Sequence, residues 1–192
     1  MTIDWHEQWA LHAPDFHEGF VHVKPFGFRL KPGPGFGDLS HSTTRLILEM
    51  LPRKISVPVV DIGCGSGVLS LAAHFAGAPE VYGIDIDEEA IQHAKENAKL
   101  NNVSLFFGKT LPKIPKTCLV LMNMISSEQR IAWETQKELH PHVEEMIVSG
   151  IPVDEQDRFL AASPYGTLIS MKELEGWIAC RYTQTTLKTG AA

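Results

Sequence analysis

The sequence lacks the features of a membrane, secreted or metal-binding protein. No apolar run among its 192 residues approaches the ~20 residues of a membrane-spanning helix. The first residues, MTIDWHEQW, carry neither the basic segment nor the apolar core of a signal peptide. The three cysteines, Cys64, Cys118 and Cys180, lie far apart and without metal-ligand spacing. An odd cysteine count without a secretion signal predicts reduced thiols and a cytoplasmic location.

Positive charge is also scarce. The chain has 17 Lys and Arg against 23 Asp and Glu, which gives a net charge of −6. This balance argues against a general nucleic-acid binder or a protein that binds anionic membranes, because both normally carry a basic face. The length and a hydrophobic content of 44% predict one domain with a substantial core.

The most informative stretch is residues 57–67, VPVVDIGCGSG. A β-branched run with Asp61 near its end breaks into residues 63–67, the glycine turn, and an apolar helical pattern begins at Val68. Strand, glycine turn and helix follow one another in the order that a nucleotide site needs. Glycines accept positive φ and lack Cβ, so the backbone can approach a ligand closely, and the helix start offers free N–H groups. A tight turn without a ligand is the alternative interpretation of the glycines alone.

The glycine spacing and a second acid separate the cofactor classes. The dinucleotide fingerprint G-x-G-x-x-G would place its third glycine at position 68, which is Val68, and this disfavours an NAD-dependent enzyme. A second buried strand pattern, residues 81–87, carries Asp85 and Ile86. Asp85 falls ~20 residues past the glycine turn, where a carboxylate accepts hydrogen bonds from a ribose diol. A solvated strand end is the alternative for Asp85, and Asp87 is predicted to cap the next helix.

The spacing G-x-G-x-G, with Asp61 two residues before the first glycine, resembles motif I of the class I S-adenosylmethionine-dependent methyltransferases. The resemblance implies S-adenosyl-L-methionine as the cofactor. The residues expected to bind it are Phe36, Gly37, Asp61, Gly63, Cys64, Gly65, Gly67, Asp85, Ile86 and Asn123. No adenine-reading acid is assigned, because Gly108 and Lys109 stand where many of these enzymes have one.

A glycine- and proline-rich loop, KPGPGFGDLSHSTT at residues 31–44, precedes the cofactor strand. A loop of this composition just before a cofactor strand more often has a functional role than serves only as a connection. Ser40, Ser42 and Thr43 can each cap the helix predicted at residues 44–51.

This loop resembles the PGxAFGTGxHxTT motif of the PrmA-type ribosomal protein methyltransferases. The chain departs from the motif at Gly35, where the family has Ala, and at Asp38 and Leu39, where it has Thr-Gly. In the family that Thr touches the cofactor. A carboxylate at position 38 would be unfavourable beside the cofactor's own carboxylate, so this contact is not carried over.

Asn123 follows the fourth predicted strand, at the edge where open α/β sheets bind ligands. It stands where PrmA-like enzymes have Asn-Ile-Leu, and a helix cap is the alternative interpretation. The tripeptide Glu175-Gly176-Trp177 resembles the family's closing Glu-Trp pair. His41 is a candidate proton acceptor, with a loop-orienting role as its alternative.

The expected fold is α/β, a Rossmann-like doubly wound sheet of about seven strands. The sheet should be mostly parallel with an antiparallel C-terminal strand pair. Residues 1–31 form a helix and strand extension, residues 32–183 the methyltransferase domain, and residues 184–192 a disordered tail. Trp5 and Trp9 should share one face of the first helix and pack on the domain rather than form a substrate lid.

The predicted function is N-methylation of an amine, either a protein lysine or an N-terminal amine. A carbonyl such as that of Asn123 would accept the N–H bonds of a neutral amine and aim its lone pair. The PrmA enzymes carry a separate N-terminal recognition domain, for which the residues before Pro32 are too few, so substrate identity does not follow. A small-molecule methyltransferase and a non-catalytic cofactor-binding partner protein remain alternatives, and the oligomeric state is open.

Overall fold

The computed structural model describes residues 3–184. The helices are α1 (Trp5–His12), α2 (Ser42–Met50), α3 (Val68–Phe75), α4 (Glu88–Leu100), α5 (Ser126–Thr135) and α6 (Gln156–Ala162). The strands are β1 (Phe16–His17), β2 (Phe20–Val23), β3 (Phe28–Leu30), β4 (Val59–Ile62), β5 (Val81–Ile84), β6 (Phe106–Gly108), β7 (Cys118–Asn123), β8 (Val143–Pro152), β9 (Thr167–Leu174) and β10 (Trp177–Thr183). Short 3₁₀ turns cover His140–His142 and Val153–Glu155.

Seven strands form the main sheet in the order β6-β5-β4-β7-β8-β10-β9. Strands β4 to β8 run parallel, and β10 is antiparallel to both of its neighbours, β8 and β9. The predicted fold class, with its antiparallel C-terminal pair, is confirmed. Strands β5 and β6 lie on one side of β4, and β7, β8, β10 and β9 lie on the other. Because the strand order reverses between β4 and β7, a crevice opens at their carboxyl ends, where such sheets bind ligands.

The central strands are buried because helices cover both faces of the sheet. Every residue of β4 is buried, and side chains on alternate positions enter two different apolar clusters. Val59 joins the cluster that contains the buried residues of α3 and α4. Val60 and Ile62 join the second cluster, which contains Trp133 of α5. A run of β-branched residues therefore serves both layers of the core.

The N-terminal segment packs on α4. Strands β1, β2 and β3 form a small antiparallel sheet within this segment. Val21 and Leu30 are fully buried in the cluster that also contains α3 and α4. Asn101, just after α4, accepts a hydrogen bond from Arg29 N at 3.0 Å and donates one to Arg29 O at 2.7 Å. The N-terminal segment and the main sheet share one apolar cluster. This shared packing does not mark a boundary, so the predicted domain boundary after residue 31 stays a prediction.

The predicted start of α2 is wrong by two residues. The helix begins at Ser42, and its N-cap is His41, whose side chain accepts from Thr43 N. The three hydroxyl residues proposed as caps do not have that role, because imidazole Nδ1 supplies the acceptor instead.

Local backbone geometry sets the bounds of two further elements, β6 and α5. Strand β6 starts only at Phe106, because Asn102 adopts φ 56° and Val103 N bonds back to Ala98 O. Helix α5 ends at Thr135, where turns and then Pro141 replace the helical ladder. The predicted tail lies, apart from Gln184, outside the described residues. Within residues 3–184 the search for a helix of membrane-spanning length and apolarity finds none.

The two tryptophans of α1 differ in burial and provide a matched test of packing. Trp9 is 4% exposed, whereas Trp5 is only partly buried. We expect Trp9→Ala to lower the free energy of unfolding by about 3–5 kcal/mol, as for other buried aromatic truncations. Trp5→Ala should cost less than half as much. Urea denaturation of both variants measures this difference, and equal losses would contradict the assigned packing.

Candidate functional site at the carboxyl edge of the sheet

The glycine turn closes through its own backbone and through the neighbouring strand. Gly63 N and Cys64 N donate to Ile84 O at 2.8 and 3.0 Å, and Gly67 N donates to Cys64 O at 2.8 Å. Gly63, Gly65 and Gly67 have φ of 75°, 54° and 79°. Side chains are strained at such angles, so the turn requires glycine at these positions. Cys64 contributes its backbone to the turn while its buried thiol has a raised pKa.

Asp85 follows β5 and is fixed by two backbone donors. Its Oδ2 accepts from Gly65 N at 2.9 Å, and its Oδ1 accepts from Asp87 N at 3.0 Å. A carboxylate oxygen has two lone pairs, so each oxygen of Asp85 can accept a further hydrogen bond. Asp87 in turn accepts from Glu89 N at 2.9 Å, which confirms it as the N-cap of α4.

Ile86 lies next to Asp85 with 92% of its surface exposed. An apolar side chain that stands almost free beside an anchored carboxylate and a glycine turn fits a nucleoside. Its apolar surface suits a flat base, and the carboxylate suits the ribose hydroxyls. The residues present therefore fit a nucleoside-bearing cofactor such as S-adenosyl-L-methionine.

Asp61 lies within the layer between β4 and α3. Its Oδ2 accepts from Ser70 Oγ at 2.7 Å, and its Oδ1 is buried without a partner among the described residues. Burial raises the pKa of Asp61 to about 7, and the nearby Asp85 adds to the rise. The cofactor contact predicted for Asp61 stays a prediction, since its carboxyl is fully buried.

The proline–glycine loop, residues 31–41, lies directly on the glycine turn. Phe36 O accepts from Ser66 N at 2.8 Å, and Gly37 O is 3.5 Å from Ser66 Oγ. A Cβ on Gly35 would lie 2.6 Å from the carbonyl carbon of Gly65, so glycine at position 35 permits this approach. The structure thus brings Phe36 and Gly37, both predicted as cofactor contacts, against the turn.

The departure from the family motif at residues 38–39 has a local explanation. Asp38 Oδ1 accepts from Ser40 N at 3.0 Å and from Ser40 Oγ at 2.6 Å. The carboxylate is therefore used to stabilise its own loop. Leu39 adopts φ 70°, in the left-handed region that the family fills with glycine, and its side chain is buried.

Asn123 occupies the end of β7 and contacts α2, the helix that follows the proline–glycine loop. Its Nδ2 donates to Thr44 Oγ1 at 3.0 Å, and Thr44 is fully buried in α2. Its Oδ1 has no protein donor among residues 3–184. The alternative role as a helix cap is wrong, because the N-cap of α5 is Ile125 and that helix has no side-chain cap.

His41 has contacts that orient the loop. Its Nδ1 lies 2.9 Å from Thr43 Oγ1, and its ring meets Trp177 edge-on at 4.8 Å and Phe36 at 5.7 Å between centroids. Burial lowers the pKa of His41, and the nearby Asp38 opposes this effect. The ring therefore tends to be neutral. Its role as a proton acceptor stays a prediction.

Two polar residues of α4 behind the site were missed by the sequence reasoning. His93 and Asn97 are almost fully buried, on the face of α4 that meets the proline–glycine loop. The available signal was their spacing: polar residues at 93, 97 and 101 recur every fourth position amid the apolar residues of the helix.

Comparisons with known proteins agree on one family. A family model described as "Ribosomal protein L11 methyltransferase (PrmA)" matches residues 13–185. The chain is 33% identical to the ribosomal protein L11 methyltransferase of Dictyoglomus thermophilum, covering 91% of this chain and 64% of that protein. It is 35% identical to that of Neisseria meningitidis serogroup C, covering 92% and 57%. The chain therefore spans roughly half of the length of such relatives.

A solved structure supports the same assignment. The crystal structure of a ribosomal protein L11 methylase from Lactobacillus delbrueckii subsp. bulgaricus superposes with a TM-score of 0.64 at 25% identity. The match covers 81% of this chain and 84% of that chain.

Asp61 gives a prediction for the pH dependence of stability. Its raised pKa means that the folded state retains a proton between about pH 4 and pH 7 that the unfolded state releases. This contribution is present at low pH and lost as the pH rises through about 7. When the pH rises from 5 to 8, the loss of this contribution should lower the free energy of unfolding of the wild type by about 2–3 kcal/mol more than that of Asp61→Asn. Urea denaturation at both pH values measures the difference, and parallel pH profiles would refute the assignment.

Proposed function

Because the chain belongs to the ribosomal protein L11 methyltransferase (PrmA) family, we propose that it transfers methyl groups from S-adenosyl-L-methionine to an amine nitrogen. The observation that carries this proposal is the arrangement at the carboxyl edge of the sheet. There the glycine turn, the anchored carboxylate of Asp85 and the exposed Ile86 adjoin one another. Asn123 closes the same edge from β7.

The cofactor residues have distinct roles in the proposal. When bound, S-adenosyl-L-methionine supplies an electrophilic methyl group. Asp85 accepts hydrogen bonds from the ribose hydroxyls, and Ile86 packs against the base. The glycine turn lets the backbone approach the amino-acid portion without Cβ atoms in the way. Phe36 forms the wall of the cofactor site on the side of the proline–glycine loop. Its backbone is bonded to the glycine turn, and the residue is 51% exposed.

The acceptor must be an uncharged amine when it attacks. Deprotonating a lysine at pH 7 costs roughly 4–5 kcal/mol, whereas an α-amino group costs about 1 kcal/mol. In the proposal, the carbonyl oxygen of Asn123 accepts an N–H bond of the neutral amine and directs its lone pair. The bond from Asn123 Nδ2 to Thr44 fixes the orientation of the amide for this task. Positioning of this kind is a large part of what a methyltransferase contributes.

A protein amine is the acceptor class that the relatives support, since they are named for a ribosomal protein. We extend this to the present chain as part of the proposal, together with a cytoplasmic site of action. The three buried cysteines, which form no disulfide in the described part of the chain, are consistent with that compartment.

Cofactor binding is tested by Asp85→Ala. Losing a charged acceptor for two hydroxyl groups costs about 1.5–3 kcal/mol, so the affinity for S-adenosylhomocysteine should fall roughly 10- to 150-fold. Asp87→Ala is the matched control: it removes the neighbouring carboxylate that caps α4 and should leave the affinity near the wild-type value. Calorimetric titration compares them. Unchanged affinity in folded Asp85→Ala would remove Asp85 from the site.

The role of Asn123 is tested by its effect on turnover. Asn123→Ala should lower kcat by roughly 100-fold, because the acceptor loses its orientation. The melting temperature should stay within a few degrees of wild type. Thr44→Val, which removes the partner of the amide, should give a smaller loss. Ribosomal protein L11 is the first acceptor to offer in this assay. Loss of stability with full activity per folded molecule would make Asn123 a structural residue.

A further inference from the structure

We propose that His93 is a positioning residue that holds the proline–glycine loop on α4, and through that loop the glycine turn, and thereby sets cofactor affinity. The proposal rests on the proposed function only in its choice of ligand. His93 lies on α4, and its side chain is 2% exposed. It is outside the crevice, so it acts on the cofactor through other residues.

Both ring nitrogens of His93 bond to the proline–glycine loop. Nδ1 accepts from Gly35 N at 3.0 Å, and Nε2 donates to Lys31 O at 2.9 Å. A ring that accepts at one nitrogen and donates at the other is neutral and restricted to one tautomer. Burial, which lowers the pKa of His93, favours the same state. The ring therefore fixes two points of the loop, four residues apart.

Asn97, one helical turn further along α4, connects the same loop with the glycine turn. Its Oδ1 accepts from Lys31 N at 2.9 Å, and its Nδ2 donates to Ser66 O at 2.9 Å. Ser66 N completes the connection by donating to Phe36 O. Loop, helix and glycine turn are thus joined in a closed ring of hydrogen bonds, and His93 adds two further bonds between the helix and the loop.

Packing leaves the ring of His93 little freedom. A Cβ on Gly33 would lie 2.5 Å from the ring, and Trp9 meets it edge-on at 5.7 Å between centroids. Trp9 belongs to α1, so the first helix covers the ring from outside. The N-terminal segment accordingly supports the cofactor-binding loops from behind.

Removal of the ring nitrogens would leave Gly35 N–H and Lys31 C=O unpaired in a buried layer. Unpaired buried groups are costly, so the loop would move to find other partners. Because Phe36 O is bonded to the glycine turn, such movement disturbs the turn itself. The effect should therefore appear in cofactor affinity.

The test is His93→Phe, which keeps an aromatic ring, larger than imidazole, against Gly33 and Trp9 and loses both hydrogen bonds. We expect the Kd for S-adenosylhomocysteine, measured by calorimetry, to rise about tenfold or more, given two lost bonds. His74→Phe, the same change on the last turn of α3, is the matched control and should bind as wild type does. His93→Asn should restore part of the affinity, because its Oδ1 can accept from Gly35 N as Nδ1 does.

Two results would overturn the proposal. One is wild-type affinity in folded His93→Phe; the other is an equal loss in His93→Asn and His93→Phe, which would leave the ring a packing role alone. If His93→Phe does not fold, the affinity of His93→Asn for S-adenosylhomocysteine is compared with that of the wild type. A weaker affinity supports the proposal, and wild-type affinity overturns it. Failure of the wild type to bind S-adenosylhomocysteine would overturn the proposed function, and this inference with it, so the two failures are distinguishable.

Discussion

The backbone contact between the proline–glycine loop and the glycine turn is the constraint on which the site depends. A backbone hydrogen bond from Ser66 N to Phe36 O joins the two segments, and Ser66 Oγ adds a longer bond to Gly37 O. The absence of a Cβ at Gly35 permits this approach. The contact places the loop beside the carboxyl ends of β4 and β7. The loop continues directly into α2, where Thr44 accepts a hydrogen bond from Asn123. One close approach between two chain segments therefore positions both the proline–glycine loop and Asn123.

The parts of this site that the sequence predicts are those encoded locally. A β-branched run, glycines with positive φ and an acid after the next strand specify β4, the glycine turn and Asp85 from short windows of sequence. The cap formed by Asp87 is equally local. The contacts of His93 join residues about 60 positions apart in the chain, and no short window reveals them. The cap formed by His41 was missed because hydroxyl residues normally have that role.

This chain differs from the motif of its family where the loop enters α2. Asp38 and Leu39 stand in place of a Thr-Gly pair; Asp38 bonds to Ser40, and Leu39 adopts the left-handed conformation. The carboxylate is thus held by its own turn. The hydroxyl of the motif's Thr is therefore absent at this position.

The central claim is that the carboxyl edge of this sheet holds S-adenosyl-L-methionine and delivers its methyl group to an amine. The most direct measurement is incubation of the protein with methyl-labelled S-adenosyl-L-methionine and ribosomal protein L11, followed by mass spectrometry to locate the label. The claim predicts methyl groups on lysine or α-amino nitrogens. Label on carbon or oxygen, or binding of S-adenosylhomocysteine without transfer to L11 or to any component of a cell lysate, would contradict it.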